Sequence, residues 1–66
     1  MEEKFDLAEQ HLLKAVEINP TSSELYINLG ILYQKMDKKE KANEVLQKAL
    51  SLDPQNQKAK QLLLSL

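Results

Sequence analysis

The sequence predicts an all-α chain of four helices, joined as antiparallel helix–turn–helix pairs. Three observations predict it. Apolar residues recur at spacings of three, four and seven, which gathers them on one face of a helix. Two breaks, Asn19-Pro20 and Asp53-Pro54, interrupt that pattern, and proline ends a helix because it lacks the amide donor and clashes with the preceding turn. A set of residues then returns after 34 positions: Ala8 at Ala42, Leu12 at Leu46, Ala15 at Ala49, Pro20 at Pro54, and Lys4 and Lys14 at Lys38 and Lys48. Recurrence at such a period marks a chain built from copies of one supersecondary unit.

The first helix runs from Glu2 to Ile18. Phe5, Ala8, Leu12, Ala15 and Val16 share a stripe, with Leu7, Leu13 and Ile18 beside it. Ala8 and Ala15 are small enough for a neighbouring helix to come close. The paired acids Glu2 and Glu3 suit the positive end of the helix dipole. Asn19-Pro20-Thr21-Ser22 stops this helix, since the residue before proline is biased away from the α region. Thr21, with Glu24 three positions on, has the form of a capping box and is the expected start of the second helix.

The second helix, Glu24 to Met36, carries Leu25, Leu29, Leu32 and Met36 on the stripe expected to be core, with Tyr26, Gly30 and Tyr33 on an adjacent one. Glycine in mid-helix costs roughly 1 kcal/mol relative to alanine. The expected reason for Gly30 is close approach of another backbone, that of the third helix near Ala42. Asp37 is the expected N-cap of the third helix, with Glu40 three positions on. That helix, Lys41 to Leu52, has Ala42, Val45, Leu46, Ala49, Leu50 and Leu52 on its apolar face. After Asp53-Pro54, Asn56 can cap a last helix from Gln57 to Leu66.

Tyr26-x-x-Leu29-Gly30-x-x-Tyr33, then Ala42-x-x-x-Leu46, Ala49 and Pro54, resembles the tetratricopeptide repeat signature, whose period is 34 residues. The resemblance covers the whole chain. It implies a right-handed α–α superhelix in which each repeat is a helix pair, A then B. Residues 2–19 would then be helix B of a partial repeat, 23–56 a complete repeat, and 57–66 a C-terminal A-type helix. Lys39 stands where the family usually has an aromatic, and Asp37 where it often has glycine. In the last helix Lys60 replaces the aromatic and Leu64 the glycine.

Composition narrows the function. The chain has 66 residues, nine lysines against ten acids, a net charge of −1, no arginine and no cysteine. Nucleic acid calls for a basic stripe and is mostly read by arginine, and anionic membranes attract clustered basic residues. Neither is expected as a partner. The longest apolar run, Leu62 to Leu64, is too short to span a bilayer, and no signal-peptide pattern opens the chain. An intracellular, cytoplasmic protein is the default expectation. A chain this short rarely draws more than ~3–5 kcal/mol from one core.

No catalytic, cofactor or metal constellation is visible, so an enzyme is not expected. His11 is the sole histidine and reads as a partly exposed packing residue, with no further ligands at metal spacing. Lys35, Lys38, Lys39 and Lys41 are interleaved with Asp37 and Glu40 and read as a solvated turn.

By the resemblance, A helices line a concave groove that receives a peptide. Glu24, Ile27, Asn28, Ile31, Gln34 and Lys35 would form that surface, with Lys58 contributed by the last helix. The competing reading is that Ile27 and Ile31 pack against a neighbouring A helix. A carboxylate clamp of the kind that holds chaperone tails is disfavoured: Asn28 and Lys58 match it, but Leu62 stands where a second basic residue is needed. The function implied is a protein-interaction module for a peptide or protein partner. The alternative is a self-assembling element. The first helix lacks an A partner and the end is leucine-rich, so copies could complete one another as a homo-oligomer.

Overall fold

The structure is a computed structural model that describes residues 2–66, with side chains from Lys4 onward. All regular structure among the described residues is helical: α1 (Glu2–Ile18), α2 (Ser23–Lys35), α3 (Lys39–Leu52) and α4 (Gln57–Leu64). The side chains of Glu2 and Glu3, expected as first-turn acids, lie outside the described residues. α2 is the hub, touching α1, α3 and α4; among the described residues α1 touches α2 alone, and α3 also touches α4. The shortest Cα dimension is 15 Å, the thickness of two helix layers whose axes are about 10 Å apart.

The hub position explains why α2 buries more than one face. Leu29 and Tyr33 belong to a cluster with Ala42 that Leu12 and Val16 of α1 and Val45 of α3 cover. Ile27 faces a second cluster, with Leu46 and Ala49 of α3 and Ala59 of α4. The expected core stripe is therefore too narrow. Leu29 and Leu32 are buried and Leu25 and Met36 half-buried, but Ile27, placed opposite that stripe, is only 4% exposed. With α4 as a third neighbour the face that carries Ile27 is covered, and the exposed side of α2 narrows to Glu24, Asn28 and Lys35.

Gly30 makes the α2–α3 crossing possible, by a different contact from the one expected. A Cβ added there would lie 2.6 Å from both Cγ and Cδ2 of Leu46. The missing side chain is a notch for the Leu46 side chain, not a meeting of two backbones near Ala42. Leu46, Ala42 and Ala49 are all fully buried as a result.

The turns correct two expected caps. Asn19 to Ser22 form a turn closed by the Ser22 amide donating to the Asn19 carbonyl, 3.4 Å. Thr21 is thus spent inside the turn, and Ser22, in extended backbone, caps α2 by accepting from the Leu25 amide at 3.4 Å. Asn56 caps α4 as expected, accepting from the Ala59 amide at 3.0 Å. Ser22 and Asn56 lie 34 positions apart, so the period pointed to serine.

Asp37 does not cap α3. Its φ is 62°, the left-handed conformation that closes α2. Lys38 donates its amide to the Tyr33 carbonyl at 2.8 Å, and Asp37 donates to Gln34 at 3.1 Å. That pair is a Schellman closure, which satisfies carbonyls left open at a helix end. Asp37 takes the part usually given to glycine, and Lys38 becomes the N-cap of α3 without a side-chain hydrogen bond.

One polar contact ties α1 to the hub. The Tyr33 hydroxyl donates to Glu9 Oε2 at 2.8 Å across 24 positions of chain. Lys41 of α3 stands 5.6 Å from the centre of the same ring, within cation–π range. Burial, and then the Glu9 carboxylate, push the Tyr33 phenol up to about 12 from its ordinary 10.0, with Glu44 adding to the effect.

Three predictions follow from this packing. Gly30→Ala should lower stability by about 1 kcal/mol, since overpacking costs ~1–3 kcal/mol against a helix-propensity gain of ~1. In a Leu46→Ala background the same change should stabilise. Urea unfolding in a stabilising osmolyte measures both, and an equal sign in the two backgrounds refutes the notch. Asp37→Gly should raise stability by about 0.5–1 kcal/mol by relieving the left-handed conformation, and Asp37→Ala should not; thermal melts decide.

The phenol of Tyr33 gives the third. Its folded pKa lies above the unfolded value, so its contribution is complete below pH 10.0 and is lost as pH rises towards about 12. The loss should be on the order of 1 kcal/mol over that span, because the hydroxyl end is only partly buried and solvent screens it. Tyr33→Phe should remove this part of the alkaline dependence, read as the difference between the two unfolding curves.

Candidate functional site

The strip expected to meet a partner lies on α2 and is divided by the fold. Glu24, Asn28 and Lys35 are exposed, and Ile31 and Gln34 are half-buried. Ile27 is in the core against Leu46, Ala49 and Ala59, with Ile31, Leu62 and Leu63 packed on the same cluster. Both isoleucines therefore serve the contact between α2 and α4. Ile31 keeps part of its surface free, whereas Ile27 offers a ligand almost nothing. That outcome is a correction for Ile27, and its cause is α4 lying alongside α2.

Lys58 is exposed on α4. It stands 34 positions after Glu24, so it holds on α4 the register position that Glu24 holds on α2. Gln61 repeats Ile27 in the same way and is also exposed. The accessible chemistry along the two helices is thus amide and charge of both signs around one apolar patch at Ile31. Such a surface can hydrogen-bond an extended backbone and meet an apolar side chain.

Surface depressions lie elsewhere. One is the bend of the hairpin itself, Asp37 to Lys41, whose residues are contiguous and exposed. Another runs between α1 and the end of α2, lined by Phe5, Asp6, Lys35, Met36, Asp37 and Lys38. Lys35 is the strip residue that reaches this cleft. Its charges are mixed, so it selects neither sign of ligand.

The remaining sequence candidates are quickly placed. His11 is exposed on α1, a surface residue and not a packing one. Among the described residues no three His, Cys, Asp or Glu side chains stand close enough to hold a metal ion. The lysines at 38, 39 and 41 are exposed, as a solvated turn requires, and Lys41 doubles as the cation over Tyr33.

Glu9 was missed at the sequence level. The signal was there: Phe5, Glu9, Leu12 and Val16 follow steps of four, three and four, which puts a carboxylate on an otherwise apolar stripe. A charge kept on such a face needs a partner, and Tyr33 supplies it.

Among the described residues no helix is long and apolar enough to cross a membrane. A family model described as tetratricopeptide repeat matches residues 1–66. A protein O-mannosyl-transferase of Caenorhabditis elegans is 44% identical over 59 residues, which cover 89% of this chain and 9% of that protein. The chain thus spans less than a tenth of the length of the relative it matches. With four helices in the order and packing described, and a family match along its full length, the chain belongs to the tetratricopeptide repeat family.

Proposed function

We propose that the chain is a protein-interaction module that holds a peptide or protein partner along α2 and α4. In this reading residues 23–56 are one complete repeat, α1 is the B helix of a preceding one, and α4 is an A-type helix. The family generally mediates protein–protein contacts and is generally non-catalytic. The observation that carries the assignment to this face is the division of the strip. Ile27 is committed to the core, while Glu24, Asn28, Lys35 and, on α4, Lys58 stay exposed and Ile31 is half-buried. An amide and charges of both signs around one apolar anchor suit an extended peptide.

The relative is named a transferase, and the matching segment is 9% of its length. We read that segment's counterpart here as a binding part and not as the seat of transfer chemistry, because the family is generally non-catalytic and Glu24 is the one carboxylate on the strip, where general acid–base work on two carboxylates would need a matched pair.

Panning a random peptide display library on the folded chain tests the reading. For peptides so obtained, Asn28→Ala with Lys35→Ala should weaken binding about tenfold or more, the scale of one or two lost hydrogen bonds to charged or amide groups. Asn43→Ala with Gln47→Ala, on the exposed side of α3, should leave affinity unchanged. Peptides that bind both double variants equally well would show that the strip is not the site.

A further inference from the structure

The notch that joins α2 to α3 returns on α4 with its sense reversed. α4 repeats α2 in register: the caps Ser22 and Asn56 are 34 positions apart, and the helices start at Ser23 and Gln57. Leu64 therefore takes the place of Gly30. At Gly30 even a Cβ would come within 2.6 Å of Leu46, so the α2–α3 geometry has room for one large side chain at this point and not for two. Leu64 is 86% exposed, on the side where a helix packed on α4 as α3 packs on α2 would lie.

We infer that Leu64 sets which helix can pack on this face of α4. The partner is an amphipathic helix with alanine or glycine where α3 has Leu46, so that Leu64 becomes the knob and the partner supplies the socket. The occupant follows from continuity with the α2–α3 interface, whose crossing is fixed by the same knob-and-notch contact one period earlier. A second copy of this chain does not meet the requirement. Its uncovered helix is α1, with Leu7 57% and Ile18 74% exposed, and α1 carries Leu12 at the position 34 before Leu46. End-to-end stacking would drive Leu12 of one copy into Leu64 of the next. Leu64 thereby disfavours a head-to-tail contact between copies, the kind of contact that builds filaments. This inference concerns that face of α4 and stands independently of the peptide strip.

The test lengthens the whole chain after Leu66 by a copy of residues 33–52, which continues the period because Leu66 lies 34 positions after Leu32. Two extensions are compared, with leucine or alanine at the copy of Leu46, each on the native chain and on Leu64→Gly. Urea unfolding reads the four proteins. On native Leu64 the alanine extension should be the more stable, with an unfolding constant about tenfold smaller. On Leu64→Gly the order should reverse. The same order in both backgrounds, or no preference in either, overturns the inference. Sedimentation of the unextended chain supplies a second readout. Association should be stronger for Leu64→Gly than for the native chain, and equal association would put a second copy on the face and overturn it as well.

Discussion

The seating of Leu46 in the gap left by Gly30 is the contact on which the rest of this structure depends. It sets how closely α2 and α3 approach, and that spacing is what lets Ala42 and Ala49, both small, be fully buried between them. Leu46 and Ala49 then form, with Ile27, the surface on which Ala59 and the leucines of α4 settle. Dispersion contacts fall away steeply with a gap of even half an ångström or so. A wider crossing would therefore loosen the α4 contact as well as its own.

Support is uneven around this centre. α2 has three neighbours, but α1 has one, and leans on it through Leu12, Val16 and the Tyr33–Glu9 hydrogen bond. Ala8, Leu12 and Ala15 repeat Ala42, Leu46 and Ala49, yet they are only half-buried where their counterparts are sealed. The same residues have a different fate because no helix lies on that side of α1 among the described residues. Local opening begins where buried apolar contacts are fewest, which places it at α1. The buried phenol, hydrogen-bonded to a carboxylate, is a directional tie at the point where apolar contact is thinnest.

The division of labour along α2 connects this packing to function. One helix supplies both the central core and the exposed strip, and α4 decides the boundary between them by covering Ile27 and part of Ile31. What stays accessible along the strip is polar and mixed in charge, with Ile31 and Gln34 half-buried. The chain belongs to a repeat family that generally mediates protein–protein contacts, and its exposed strip is carried on a helix packed by three others.

By itself the sequence determined the class, the number of helices and their period. Proline breaks, apolar spacing and the Ala42, Leu46, Ala49 recurrence are local or near-local signals, and the helix ends fell within two residues of where those signals put them. It also marked Gly30 as a site of close approach and Asn56 as a cap. Only the tertiary structure decided what approaches Gly30, that Asp37 closes α2 in place of capping α3, that Glu9 accepts from Tyr33, and that Ile27 is core. Asp37 shows why. Its role depends on amides at 37 and 38 folding back onto carbonyls at 34 and 33, an arrangement as compatible with its residue type as a cap. Ile27 shows it at longer range. A stripe read from one helix assumes one buried side, whereas the number of buried sides depends on how many helices gather round it, and that is fixed by contacts between residues far apart in the chain.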